Sequence, residues 1–91
     1  MAGTVRDNAA FARFELDADG GTAVMYYRLD PGGITLTHTE VPPALEGHGI
    51  GSALVRGVLD LARTRGLKVV VKCPFVAAYM GRHPEYNDLL R

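Results

Sequence analysis

A run of eight residues, Leu45, Glu46, Gly47, His48, Gly49, Ile50, Gly51 and Ser52, sets three glycines at alternate positions just before a stretch with helical periodicity. Glycine allows close backbone approach to a ligand, and the first N–H groups of a helix have no partner within it. Those groups sit at the positive end of the helix dipole, so a strand, a glycine turn and a helix in this order suit a phosphate or pyrophosphate. A tight turn that needs glycine for its backbone geometry alone is the alternative, because short glycine patterns recur by chance. Two better-known phosphate turns are set aside. No Gly-Lys-Ser/Thr end marks a P-loop, and the strand before the turn follows an antiparallel meander, unlike that of a dinucleotide-binding unit. No Cys/His cluster has the spacing of a metal site, and none is expected.

The turn must be held by what flanks it. Residues 1–8 mix small and polar types without a period and read as a loose terminus. Residues 11–16 read as a strand, and Asp17-Ala18-Asp19-Gly20-Gly21 as a hairpin turn. A second strand follows over residues 22–29, closed by Asp30-Pro31-Gly32-Gly33. The third, residues 34–41, alternates Ile34, Leu36, His38 and Glu40 on one face with Thr35, Thr37, Thr39 and Val41 on the other. Pro42-Pro43 must end its pairing.

Beyond the turn, Ile50, Ala53, Leu54, Gly57, Val58, Leu61, Ala62 and Arg65 recur at helical spacing, with Ser52, Arg56, Asp60, Arg63 and Thr64 opposite and Gly66 as a left-handed cap. Residues 67–72 are a β-branched strand, returning after a crossover of the length that a parallel connection requires. A second helix, opened by Pro74 and stopped by His83-Pro84, leaves residues 85–91 as a tail, its last part from 87 unpatterned. The expected fold is therefore α/β: a mixed sheet of three antiparallel strands plus one parallel strand, with two helices, in one domain over residues 1–91.

Composition bounds the function. With 91 residues, 47% of them hydrophobic and 22% charged, the chain is long enough for one core. Ten basic and ten acidic residues cancel, so no broad positive field is available for nucleic acid or an anionic membrane. The single cysteine, Cys73, cannot form an internal disulfide, and no apolar run reaches the length of a membrane span or signal segment. A cytoplasmic location is expected.

The stretch from Val41-Pro42-Pro43 through Glu46-Gly47-His48-Gly49-Ile50-Gly51-Ser52-Ala53-Leu54 resembles the acetyl-CoA-binding signature of the GCN5-related N-acetyltransferases. With His38-Thr39-Glu40-Val41-Pro42 before it, and Cys73-Pro74-Phe75-Val76-Ala77-Ala78-Tyr79 and His83-Pro84-Glu85-Tyr86 after, the chain is similar to their small single-domain YjdJ-type subgroup from about residue 11 to 86. The resemblance implies a minimal acyl-CoA N-acyltransferase-like fold and an acetyl-CoA-dependent transfer to a primary amine. It assigns the backbone around Thr39 and Val41 to the pantetheine arm, and Gly47, His48, Gly49, Ile50, Gly51 and Ser52 to the pyrophosphate. The acceptor is a small molecule, a peptide or a protein lysine.

Two departures stand out. The family signature has Arg or Gln where this chain has Glu46, whose carboxylate would repel a diphosphate if it pointed inward. Binding then rests on backbone N–H groups, with His48 or Arg56 nearby. The chain is also short of the elements that wall the acceptor pocket in larger relatives. An open acceptor site is implied, in a monomer or a weak homodimer whose second subunit completes the wall.

Acetyl transfer needs a deprotonated amine, a stabilised oxyanion and a proton for the departing thiolate. By resemblance Tyr79 is the candidate acid; a packed helix face is the competing account of Phe75, Val76 and Tyr79. Cys73, placed after the second parallel strand near the expected thioester, is a candidate nucleophile or a buried lining residue. His38 and Glu40 are candidates for base or water-relay work, or are solvent-facing. A CoA-binding module with little or no transferase activity remains the alternative function.

Overall fold

A computed structural model describes residues 3–91 of the chain. In order, it comprises β1 (Arg6–Asn8), a 3-10 helix (Ala9–Phe11), β2 (Arg13–Ala18), β3 (Gly21–Asp30), β4 (Gly33–Glu40), a second 3-10 helix (Pro43–Leu45), α1 (Ile50–Thr64), β5 (Lys68–Val71), α2 (Pro74–Arg82) and a third 3-10 helix (Pro84–Leu89). The strands form one sheet in the order β1-β2-β3-β4-β5. The first three pairings are antiparallel, and β4 pairs with β5 in parallel.

The mixed α/β sheet is as expected, but the counts are not. A fifth strand forms within residues 1–8, where a loose terminus was expected; residues 1 and 2 lie outside the described residues. Arg6 and Asn8 explain it, since both side chains bond the carboxylate of Glu15 on the neighbouring strand. The expected tail is ordered too. Pro84 opens a 3-10 helix in which Tyr86 and Leu89, three residues apart and so on one face, are both buried. Leu90 then bridges Val69 of β5, and the Arg91 N–H donates to the Val69 carbonyl at 3.0 Å.

The strict alternation expected along β4 breaks at Thr37. Tyr26 faces His38 but Tyr27 faces Leu36, so Thr37 is an extra residue opposite one step of β3, a bulge. Its hydroxyl donates to the Tyr26 carbonyl at 3.2 Å. Ile34 and Leu36 are buried in the core, whereas His38 and Glu40, expected on the same face, are exposed. The bulge turns them over.

The core joins the sheet residues Phe14, Leu16, Met25, Ile34, Leu36 and Val69 to Leu54, Val55, Val58 and Leu59 of α1 and Val76 and Met80 of α2. Each fully buried aliphatic side chain contributes about 1.5–3 kcal/mol, well above any intrinsic helix preference, so this stripe fixes the rotation of α1. The stripe is centred on Leu54, Val55, Val58, Leu59 and Ala62, and Arg65, expected on the apolar face, is exposed and bonds Asp7 at 2.8 Å. Past Gly66 the helix closes by two bonds, Gly66 N–H to the Arg63 carbonyl and Leu67 N–H to the Ala62 carbonyl, a glycine C-terminal motif.

Two tyrosines tie distant elements together, β3 to β1 and the C-terminal turn to α1. The Tyr27 hydroxyl donates to Asp7 at 2.6 Å, and the Tyr86 hydroxyl donates to Asp60 at 2.9 Å. Burial, reinforced by these carboxylates, pushes both phenols up to about 12.

Candidate functional site

The site is built where β4 leaves the sheet. Pro42 and Pro43 stop the ladder, a 3-10 helix buries Leu45, and the chain turns through Gly47 and Gly49 into α1. Gly47 has φ +80° and Gly49 φ +74°, with open space where a Cβ would stand. Backbone conformation alone explains glycine there. At Gly51 the reason is contact: a Cβ would come within 2.6 Å of the Phe75 ring.

Among the described residues, no N–H group from Gly47 to Ser52 makes a hydrogen bond within the protein. All of these residues except His48 line a cavity of about 230 Å³, which Val41, Glu46 and Phe75 also border. Free donors at a helix N-terminus around a cavity fit a diphosphate. Glu46 also lines this cavity, so the positive charge must come from elsewhere.

The remaining expected residues are distributed around this centre. Val41, Gly47, Gly49, Ile50, Gly51 and Ser52 share the cavity, while the His48 side chain lines a separate hollow with Asp19 and Leu45. His48 is thus left only its N–H to offer at the turn. Thr39 and Cys73 meet where β4 and β5 stop pairing: the last partnered residues are Leu36 and Val71, and the Thr39 Oγ1 lies 3.3 Å from the Cys73 Sγ. Cys73 is 4% exposed, so its thiol is walled in by the fold.

Tyr79 is buried, with its ring stacked on His83 at 4.1 Å. Its hydroxyl has no hydrogen bond among the described residues. It lines a further cavity of about 350 Å³, which shares Gly49 and Ser52 with the glycine-turn cavity.

On the sheet face away from the core lies a cavity of about 510 Å³, bounded in part by Arg13, Glu15, Val24, Tyr26, Glu40 and Val41. Val41 borders it and the glycine-turn cavity alike. On its rim His38 Nε2 lies 3.2 Å from Glu40 Oε2, and the His38 ring stacks on Tyr26. Deeper in, Glu15 is 5% exposed yet ionised: Asn8 at 3.0 Å, Arg13 at 2.6 Å and Arg6 at 2.7 Å hold its carboxyl below the ordinary glutamate range. Arg13 also donates to the Tyr26 hydroxyl at 3.2 Å.

Sequence reasoning missed the parts that only folding brings close. Phe75 was weighed as a packed helix position, but it is 43% exposed and closes over Gly51, 24 residues earlier. No local pattern links the two.

Among known proteins, the family model described as GCN5-related N-acetyl-transferase matches residues 13–89. Protein NATD1 of Homo sapiens is 35% identical over 51 residues, 56% of this chain and 45% of that protein. Its Gallus gallus counterpart is also 35% identical over 51 residues, covering 46% of its length. The matched stretch thus spans about half of these relatives. The solution NMR structure of a GCN5-like protein from Staphylococcus aureus superposes with a TM-score of 0.72 at 27% identity, covering 96% of this chain and 86% of that one.

Proposed function

The chain belongs to the GCN5-related N-acetyltransferase family, and from that premise we propose that it moves an acetyl group from acetyl-CoA to a primary amine by direct attack. The observation that carries this reading is the row of free N–H groups from Gly47 to Ser52 beside a cavity walled by Val41 and Phe75. They suit the diphosphate, with the pantetheine arm passing Val41 and Thr39 toward the gap between β4 and β5.

The acceptor takes the larger cavity on the far side of Val41, which brings its amine toward the thioester carbonyl past the end of β4. Glu40, paired with His38, accepts the ammonium proton. Nitrogen then attacks the carbonyl carbon, the carbon–sulfur bond breaks, the Tyr79 hydroxyl, which no protein acceptor holds, supplies the thiolate proton, and the second proton that the nitrogen sheds as the amide forms returns through water to the tyrosinate. In direct attack Cys73 carries no acyl group. Tied to Thr39, it serves as a wall of the cleft.

The test is amine-dependent thiol release from acetyl-CoA with a panel of alkylamines and lysine peptides. Tyr79→Phe should lower kcat about 100-fold or more while acetyl-CoA affinity stays near wild type. Cys73→Ala should retain most of the rate. Loss of transfer in Cys73→Ala, with an acetylated wild-type cysteine trapped by acid quench, would replace direct attack by an acyl-enzyme route. The presence of Glu46 in the cavity favours a second reading, a CoA-binding module without transfer; binding with no turnover on any amine would establish it.

A further inference from the structure

We propose that the cavity on the outer face of the sheet selects primary amines that also carry a carboxylate, which Arg13 and the Tyr26 hydroxyl receive. The inference rests on the transfer reading above and adds to it the chemical class of the acceptor.

Strand pairing lays out the charges along this face. Arg13 stands opposite Tyr26, and Tyr26 opposite His38; in the next row Glu15 stands opposite Val24, and Val24 opposite Glu40. Asp17 and Thr22 follow in a third row. Residues two apart on a strand share a face, so the three rows lie side by side. Arg6 pairs with both Glu15 and Asp17. The charges of Arg6, Arg13, Glu15 and Asp17 cancel in sum but not in place: the Arg13 row is positive, and the acids lie toward the other end. Glu40 adds a negative charge at that end. Beyond Tyr26 on the same face of β3, the Arg28 side chain forms no ion pair or hydrogen bond among the described residues.

Arg13 is held in place with donors to spare. Its Nε donates to Glu15 at 2.6 Å, its Nη1 to the Tyr26 hydroxyl at 3.2 Å, and its guanidinium carbon lies 5.2 Å from the centre of the Phe11 ring. Its Nη2 has no partner among the described residues, and the side chain is 30% exposed. Glu15 does not cancel it alone, because Arg6 and Asn8 share the same carboxylate. The Tyr26 hydroxyl, accepting from Arg13, keeps its own proton to give. An N–H and an O–H thus border the cavity at its positive end, where a guanidinium edge matches the oxygens of a carboxylate.

The other end takes the ammonium. Glu40 and Tyr26 are diagonal neighbours on paired strands, which sets their Cβ atoms about 7–8 Å apart. Val24, buried between their rows, is the apolar floor. A molecule with its ammonium on Glu40 and a carboxylate a few bonds away, on Tyr26 and Arg13, meets an opposite charge at each end. A plain alkylamine meets one.

The experiment compares kcat/KM for thiol release from acetyl-CoA with 4-aminobutyrate and with butylamine, which share a chain length. Wild type should favour 4-aminobutyrate at least about tenfold, the scale of one hydrogen bond to a charged group. Tyr26→Phe and Arg13→Met should each shrink that ratio severalfold. The ratio is the readout because a merely structural role would slow both amines alike and leave it in place. Tyr26→Phe keeps the ring beside Arg13 and His38, so the test stands even if Arg13→Met fails to fold. Peptides with lysine beside aspartate, set against the same peptides with asparagine, tell a free aminocarboxylate from a peptide carboxylate; a preference in either series supports the class. Equal wild-type rates in both series, or a ratio that survives both substitutions, overturns the inference and leaves the transferase reading standing. No thiol release with any amine overturns both.

Discussion

Gly49 and Gly51 look interchangeable in the chain, yet one is needed for a left-handed backbone and the other to leave room for the Phe75 ring. The glycine pattern marked the turn, but only the folded chain separates its two causes. Glu15 is the converse case: nothing in its neighbourhood marks a buried acid, because Arg6 and Asn8 reach it from another strand. Its acidity yields a prediction. With Asn8 and Arg13 holding the carboxyl below its ordinary range, the unfolded chain takes up a proton at higher pH than the native one. Stability from this group is therefore complete above the ordinary glutamate range and drains away as pH falls through it. Urea denaturation near pH 7, 5 and 3.5 should show Glu15→Gln weaker than wild type at neutrality and flatter toward acid. Parallel acid limbs would mean that the cluster does not set the acid response.

Among the elements, β4 carries the most consequence. Its alternation as written puts His38 and Glu40 with Ile34 and Leu36; the Thr37 bulge gives the two pairs opposite faces and sends Glu40 to the large cavity. A bulge of this kind is hard to read from one strand, since the residues after it are polar and satisfy either face. Deleting Thr37 removes the extra residue and leaves Leu36, His38, Thr39 and Glu40 opposite Tyr27, Tyr26, Met25 and Val24 in an unbroken ladder, so His38 and Glu40 keep the outer face and Thr39 stays toward Cys73. The expected outcome is a variant that still unfolds cooperatively on heating and keeps the near-ultraviolet dichroism of its buried tyrosines. A variant that loses both would show that the fold needs the bulge itself and not only the faces it sets. The long periodic segments, β3 and α1, were legible because many residues repeat one message. β1 and the Pro84–Leu89 turn were not, because a single turn or three residues of strand carry too little pattern to outweigh their polar composition.

For the molecule as a whole, three cavities meet around the end of one strand: Val41 separates two of them, and Gly49 and Ser52 separate the second from the third. The core on one face of the sheet and the polar Glu15 cluster on the other leave that strand end as their common border. The buried core and the bonded Glu15 cluster form a frame, and the cavities open at its edge. Tyr27 bound to Asp7, and Tyr86 bound to Asp60, secure the two ends of the chain to that frame. At its centre the turn keeps a run of amides with no hydrogen-bond partner among the described residues. Such amides trade their protons with water freely, unlike those of the strands beside them. In heavy water, a peptide spanning residues 46–53 should take up deuterium almost at once from the free protein and slowly once acetyl-CoA is added. If it is already slow in the free protein, the donors are engaged and the proposed seat for the diphosphate is lost. Otherwise the turn records its own occupancy as mass, before any acceptor has been found.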